Sequence, residues 1–316
     1  MSLITRLLQF FSKPESKHQL GVCIGPSSLT LCYLDESNEI SYQESALDMA
    51  PNPQLGNNAA TKNVTEHLKK FLTQYVTSGN CHVVLSPAFY KIIQVDKPNI
   101  PVNEMLGALK WQVNDLVTIE VDDMIVDYFD AHAVVGGNPQ VNVICASKSF
   151  LTVLFSAINQ GGLQLSTIST EEFAFLSLLP KQDAAVLLVC QQPHAEVVLL
   201  IVKNGRLYFY RRLRGFTQLS QQSEEDLAMG TTERLSLEIQ RFMDYFERQL
   251  KQAPIKSIQV MVPSDNEQYL ADKLAENTDV LVQLLALPKQ HQGQRKYAVA
   301  IGASLLNTLE QEQAHG

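Results

Sequence analysis

The stretch LGVCIGPSSLTLCYLD, residues 20–35, decides the fold. Residues 20–24 and 29–34 are short apolar runs, and Gly25, Pro26, Ser27 and Ser28 between them have the composition of a tight turn. The polar turn at residues 35–38 leads into EISYQESAL, which supplies a third strand. The same order of events recurs from Ala184. AAVLLVC is followed by a turn at Gln191 to His194, then AEVVLLIV, the tight turn Asn204-Gly205, and RLYFYRRL. Each three-strand meander is followed by helix and strand, so the spacing predicts a duplicated α/β architecture of two lobes.

Between the meanders, Val64, Leu68, Phe71, Leu72, Tyr75 and Val76 form one helical stripe. Strands at 82–86 and 91–95 then lead through a proline-bounded loop into a helix with Asn103 as N-cap. Its buried face is Met105, Leu106, Leu109, Val113, Leu116 and Val117. Strands at 125–133 and 141–147, a helix at 150–160 and a strand at 165–168 follow, and together they predict an inserted α/β subdomain over about 82–168. A helix at 171–179 leads out. After the second meander, Leu235, Ile239, Phe242, Met243, Phe246 and Leu250 line one face of the most regular helix. The expected units are residues 1–17, a first lobe at 18–183 carrying the insertion, and a second lobe at 184–316 that includes the C-terminal helix.

Composition excludes several classes of function. The 316 residues are 45% hydrophobic, enough for a packed core, and the net charge of -8 opposes binding to a phosphate backbone. The densest basic clusters, Arg211, Arg212 and Arg214, and Arg295 with Lys296, are too small for a nucleic-acid stripe. Cys23, Cys32, Cys81, Cys145 and Cys190 are odd in number and lie among aliphatic residues, which reads as reduced buried thiols and a cytosolic compartment. No CxxC pair or Cys/His cluster gives metal-ligand spacing. Apolar runs such as residues 197–202 are far shorter than the roughly 20 residues a spanning helix needs. At the start, Leu3, Ile4, Leu7, Leu8 and Phe11 share one helical face opposite Arg6, Gln9 and Ser12, and Pro14 ends the pattern. That face suits either a peripheral membrane contact or packing on protein.

Longer segments carry a resemblance. KIIQVDKPNIPVNEMLGALKWQVNDLVTIEVDDMIVDYF at 91–129 and VNVICASKSFLTVLFSAINQGGLQLSTISTEEFAFLSLL at 141–179 stand between the meanders. NGRLYFYRRL, EIQRFMDYFERQL and YAVAIGASL follow in order. Together with the opening hairpin, these segments resemble the PilM-like branch of the actin-like ATPase fold, including its members in MSHA pilus biogenesis. The resemblance implies a duplicated actin-like (ribonuclease H-like) fold with an inserted subdomain of the PilM type. It implies a cytoplasmic scaffold, peripheral at the inner membrane, that takes part in type IV pilus biogenesis. The partner would be a PilN-like, single-span assembly protein whose cytosolic N-terminal segment lies in a groove between first lobe and insertion. Phe89, Tyr90, Lys91, Lys110, Trp111 and Asn114 are the residues expected to line that groove. The alternatives are an ATP-binding regulatory ATPase of the same fold and a cytoplasmic component of a type II secretion assembly. Members of the latter group continue into a membrane span, whereas this chain ends in LEQEQAHG.

The resemblance also defines what nucleotide chemistry would require. Cys23 stands where an ATPase of this fold places the Asp that holds water on Mg²⁺, and a neutral thiol is a poor substitute for a hard carboxylate. The second phosphate hairpin reads Cys190-Gln191-Gln192-Pro193, and Pro193 lacks an N–H. Val262-Pro263-Ser264-Asp265 stands in the adenosine loop, in place of a glycine pair, while Gly302 survives in the last helix. The expectation is a vestigial nucleotide site at Gly25, Pro26, Ser27, Ser28, Gln191, Gln192 and Gly302, with no catalytic residue, no cofactor and no enzymatic activity. Elsewhere, His82 and Ser86 lack nucleophile-elbow glycines. Asp122-Asp123 and Glu224-Glu225-Asp226 read as helix-capping or solvated acids.

Overall fold

The computed structural model describes residues 19–35, 37, 39–47, 58–132 and 138–306. The amphipathic segment with Leu3, Ile4, Leu7, Leu8 and Phe11 lies outside the described residues. The chain divides into two compact units. One contains residues up to 131, 138–174 and those from 299 onward; the other contains 132–137 and 175–298.

The first unit opens with the predicted meander: β1 (Gln19–Ile24), β2 (Ser28–Leu34) and β3 (Ile40–Ala46). Helix α1 (Asn58–Tyr75) and strand β4 (Asn80–Leu85) follow. Strand β5 (Tyr90–Asp96), helix α2 (Val102–Gln112) and strands β6 (Met124–Ala131) and β7 (Gln140–Ser147) form the insertion. Helix α3 (Lys148–Gln160), strand β8 (Gln164–Thr170) and helix α4 (Glu171–Ser177) complete the pass. The main sheet has the order β3-β2-β1-β4-β8; the meander is antiparallel, and β1, β4 and β8 run parallel. Val22, Ile24, Val83 and Leu85 point from this sheet into a core closed by Leu68, Leu72, Leu154 and Ile158 of α1 and α3.

The insertion is narrower than its sequence suggests. β4, α3 and β8 belong to the main layers, and only β5, β7 and β6 form the separate antiparallel sheet. A β4 strand of valine and leucine reads alike in either sheet, so periodicity alone misassigns it. The small sheet has its own core, where Val95, Val126, Val141 and Val143 meet Met105 and Leu109 of α2. Helix α2 begins at Val102 with Pro101 before it, so Asn103 lies inside the helix and is not its cap.

The second unit repeats the plan. Strands β9 (Val186–Cys190), β10 (Val197–Lys203) and β11 (Arg206–Leu213) form the meander, followed by α5 (Thr232–Asp244), β12 (Ser257–Met261), α6 (Glu267–Glu276) and β13 (Leu281–Leu284). Its sheet order is β11-β10-β9-β12-β13, the same order and the same mixture of antiparallel and parallel pairs. Leu235, Ile239 and Phe242 of α5 are buried on it, and Phe209 of β11 stacks on Phe242 with ring centroids 4.9 Å apart.

The last helix, α7 (Ala298–Ser304), is not part of the second lobe as the sequence suggested; from Val299 it belongs to the first unit. Two glycines permit this. A β-carbon on Gly21 of β1 would overlap the Ala300 carbonyl, and one on Gly302 would overlap the Ala174 carbonyl. Gly302 is thus a packing glycine between α7 and α4. All five cysteines are buried and none is in a disulfide. No helix among the described residues is long and apolar enough to cross a membrane.

Candidate functional site

The three loops that would meet nucleotide are held by the protein's own groups. In the first hairpin the Gly25 N–H donates to the Ser28 carbonyl at 2.9 Å, and the Leu47 N–H donates to the Ser27 carbonyl at 2.8 Å. Pro26, Ser27 and Ser28 are half-buried around it. Cys23 beside this turn is fully enclosed. Burial, reinforced by the charge of Glu171, pushes its thiol far above the ordinary range, so it is a neutral group at any physiological pH.

In the second hairpin, Gln191 turns inward. Its Nε2 donates to the carbonyls of Ala195 (2.7 Å) and Phe216 (2.6 Å), and its Oε1 accepts from the Ser220 N–H at 3.1 Å. The side chain therefore fills the turn and ties it to the segment after β11. Gln192 is buried as well, and His194 takes a left-handed φ of 62°. The expectation that these two glutamines face a ligand is corrected for Gln191, whose amide is spent within the fold.

The third loop, after β12, is fixed by an ion pair between half-buried Arg295 and buried Glu267 that sequence reading missed. Arg295 Nη2 donates to Glu267 Oε1 at 2.7 Å and to the Val260 carbonyl at 3.0 Å; its Nε donates to Glu267 Oε2, and its Nη1 to the Leu285 carbonyl. Glu267 Oε1 also accepts from the Val262 N–H at 2.6 Å. An Mg²⁺-nucleotide needs a carboxylate near the first turn and open backbone donors in the second. Cys23 supplies no carboxylate of its own, and the second turn is filled by the Gln191 amide.

At the carboxyl ends of the parallel strands of the first unit lies a polar cluster that was also missed. Glu171 and Glu172, at the start of α4, are 1% and 0% exposed, and the Tyr90 hydroxyl donates to Glu172 Oε2 at 2.7 Å. Ser86 Oγ and Thr170 Oγ1 are buried nearby in sequence on the ends of the paired strands β4 and β8, without a hydrogen-bond partner among the described residues. The only sequence signal was an acidic pair opening a helix, which usually marks a solvated first turn. Asp123 is a capping acid as expected. It accepts from Ser147 Oγ (2.6 Å) and from the Ser149 N–H (2.8 Å) at the start of α3. Burial works against its charge, yet those bonds hold its carboxyl below the usual range.

The predicted groove residues separate into two groups. Phe89 and Tyr90 are buried and are corrected as contact residues. Phe89 stacks on Phe150 at 4.7 Å between centroids, and Tyr90 is bound to Glu172, so both anchor the insertion to the main core. Strand alternation turns Lys91 the other way, on the side where Ile93 and Val95 meet α2, and Lys91 is exposed on an edge strand. Lys110 is half-exposed, and Asn114 donates to Asp115 at 3.1 Å.

Trp111 is 69% exposed, which makes it a surface residue of α2 and not a core one. Val102 is also exposed on this helix, at 77%, and Leu116, expected on its buried face, lies past its end at 57% exposed. Gly107 sits one turn before Trp111, and a β-carbon there would meet nothing within 4 Å. Packing does not demand this glycine, and it leaves the flank of the indole open.

No protein-family model matches this chain, and no curated protein matches it by sequence. Solved structures do match its fold. A chain of a PilM-PilN type IV pilus biogenesis complex is similar at a TM-score of 0.64 and 16% identity, covering 92% of this chain and 98% of that one. The ethanolamine utilization protein EutJ from Carboxydothermus hydrogenoformans matches at 0.50 and 10% identity, over 95% of this chain and 93% of its own. A Bacteroides thetaiotaomicron protein with actin-like ATPase fold and unknown function matches at 0.50 and 12% identity, over 88% and 95%. With its repeated sheet order and its inserted three-stranded sheet, this chain has the actin-like ATPase fold.

Proposed function

We propose that the chain is a scaffold of type IV pilus assembly that holds a short segment of a PilN-like, membrane-anchored protein against its inserted subdomain. The observation that carries this reading is the likeness to a chain of a PilM-PilN complex over nearly the full length of both chains. The insertion offers the means. Strand β5 is an edge of the small sheet, and Trp111, Val102 and Leu116 offer apolar surface on the same subdomain. An exposed tryptophan with an open flank is the type of side chain that dominates binding energy at interfaces. The proposed setting is an MSHA-type pilus, at the cytoplasmic face of the inner membrane.

Nucleotide turnover is no part of this reading. A neutral Cys23, an inward Gln191 and the Glu267–Arg295 fork stand where phosphate and adenosine contacts would be needed. Thermal unfolding with millimolar ATP and Mg²⁺ is expected to show no upward shift, and a clear shift would reinstate the ATPase reading.

The decisive experiment is calorimetric titration of the intact chain with synthetic N-terminal segments of single-span pilus assembly proteins. One segment is expected to bind, and Trp111→Ala to weaken it about tenfold or more without lowering the melting temperature. If no segment binds, or if Trp111→Ala binds as well as the parent, the reading fails.

A further inference from the structure

The second unit carries a basin of about 580 Å³ to which five arginines contribute half of the lining residues. Arg211 and Arg212 come from the end of β11, Arg214 from the loop after it, and Arg234 and Arg241 from α5. The whole chain has nine arginines and sixteen lysines, and five of the arginines, with no lysine, line this one basin. The concentration is notable in a chain of net charge -8. Its one acid is Glu238, which holds Arg241 at 2.7 Å. Among the described residues, no carboxylate pairs with Arg211, Arg214 or Arg234, and all three are exposed.

Clustering like charges raises the energy of the folded unit, and Glu238 offsets only part of it through Arg241. The choice of arginine is informative too. A guanidinium fork meets a carboxylate with two parallel hydrogen bonds, whereas lysine acts as a point charge. The basin also has an apolar component. Leu213 and Phe216 are buried at its floor, Arg234 lies over the Phe216 ring at 5.6 Å, and Leu237 is 46% exposed on the α5 wall. Arg234, Leu237 and Arg241 recur at helical spacing on one face of α5, so the apolar contact lies between two charges.

We infer that this basin is a docking site for an acidic segment of a partner protein, one that places carboxylates on the arginines and an apolar side chain against Leu237. Charge complementarity sets the sign of the partner. The apolar wall and concave form favour a peptide over free phosphate, which has nothing to set against a leucine. Overall negative charge opposes an anionic lipid surface, because the rest of the chain would be repelled by it. The site lies in the second unit, so it is independent of the segment proposed for the insertion.

The test uses the intact chain and a displayed library of random twelve-residue peptides. Selected peptides are expected to be rich in Asp and Glu around a Leu, Ile, Met or Phe, and to bind more weakly as salt rises. In fluorescence anisotropy, Arg211→Gln with Arg214→Gln should weaken the best peptide about tenfold or more. Glu238→Gln removes the competing acid and should tighten it about two- to threefold. Trp111→Ala should leave this binding unchanged, and circular dichroism should show all variants folded. The inference is overturned if the selected peptides lack an acidic excess, or if the double variant binds equally well. It is also overturned if anionic phosphatidylserine vesicles bind through these arginines and the peptides do not. Concentration-dependent self-association abolished by the double variant would assign the basin to a second copy and likewise overturn it.

Discussion

The two five-stranded sheets of this protein share one strand order and differ in what their turns contain. In the first hairpin the turn is built of Gly25, Pro26, Ser27 and Ser28 and is held by backbone hydrogen bonds. In the second, the Gln191 side chain occupies the turn and bonds three backbone groups. The first unit spends its long connection between β4 and α3 on an inserted sheet, while the second passes from β12 to α6 directly. A duplicated frame therefore tolerates divergence at its loops, because the sheet and the covering helices supply the burial. In the first unit the divergence produced a new surface, and in the second it produced internal fastening.

The sharpest way to break the second unit is at its Glu267–Arg295 fork. Arg295→Ala takes the guanidinium away from the nearly enclosed Glu267 carboxyl, and is expected to cost about 3–5 kcal/mol in denaturant unfolding. The first unit has a different weak point, His82 of β4. It is fully buried with neither ring nitrogen hydrogen-bonded among the described residues, and burial lowers its pKa to about 4. The unfolded state takes up a proton near pH 6.5 that the folded state refuses. The stability present above that pH is therefore lost as pH falls towards 4, by about 3 kcal/mol. His82→Leu should flatten that acid limb, whereas His291 of the second unit is also lowered by burial and its replacement should change the limb less.

Gln191→Leu tests the fastening of the second hairpin directly. It strands a backbone N–H and two carbonyls, and should cost about 1–3 kcal/mol. On the insertion, Gly107→Ala should raise stability by about 0.5–1 kcal/mol, since the helix gains propensity and the site is open, while weakening the bound segment. Trp111→Ala should change stability by less than about 0.5 kcal/mol, because the ring is mostly in solvent. A larger loss would show that the indole packs within the unit and would remove it as a contact residue.

Much of this was legible in the residue pattern. Both meanders lie within the stretches 20–47 and 184–213 expected of them, and the α5 face of Leu235, Ile239 and Phe242 is buried as its spacing demanded. The cysteines are buried as their aliphatic neighbours implied. What periodicity could not reveal was partnership between distant segments. Nothing in VVL of β4 says which sheet it joins, so the insertion was drawn too wide. Phe89 and Tyr90 resemble exposed aromatics of a binding strand until Phe150 and Glu172 are seen against them. Arg211 and Arg234 are twenty-three positions apart, and only the packing of α5 beside β11 makes them one charged basin.

The sequence by itself determined the duplicated α/β plan, the burial of the cysteines and the absence of a basic stripe, because these depend on local periodicity and residue chemistry. The tertiary structure alone decided that Trp111 is exposed, that Gln191 turns inward and that α7 returns to the first unit. Those outcomes depend on which surfaces are already covered when each side chain arrives. Coverage is a property of the folded whole, set by contacts such as that of Gly21 with Ala300 across nearly the entire chain.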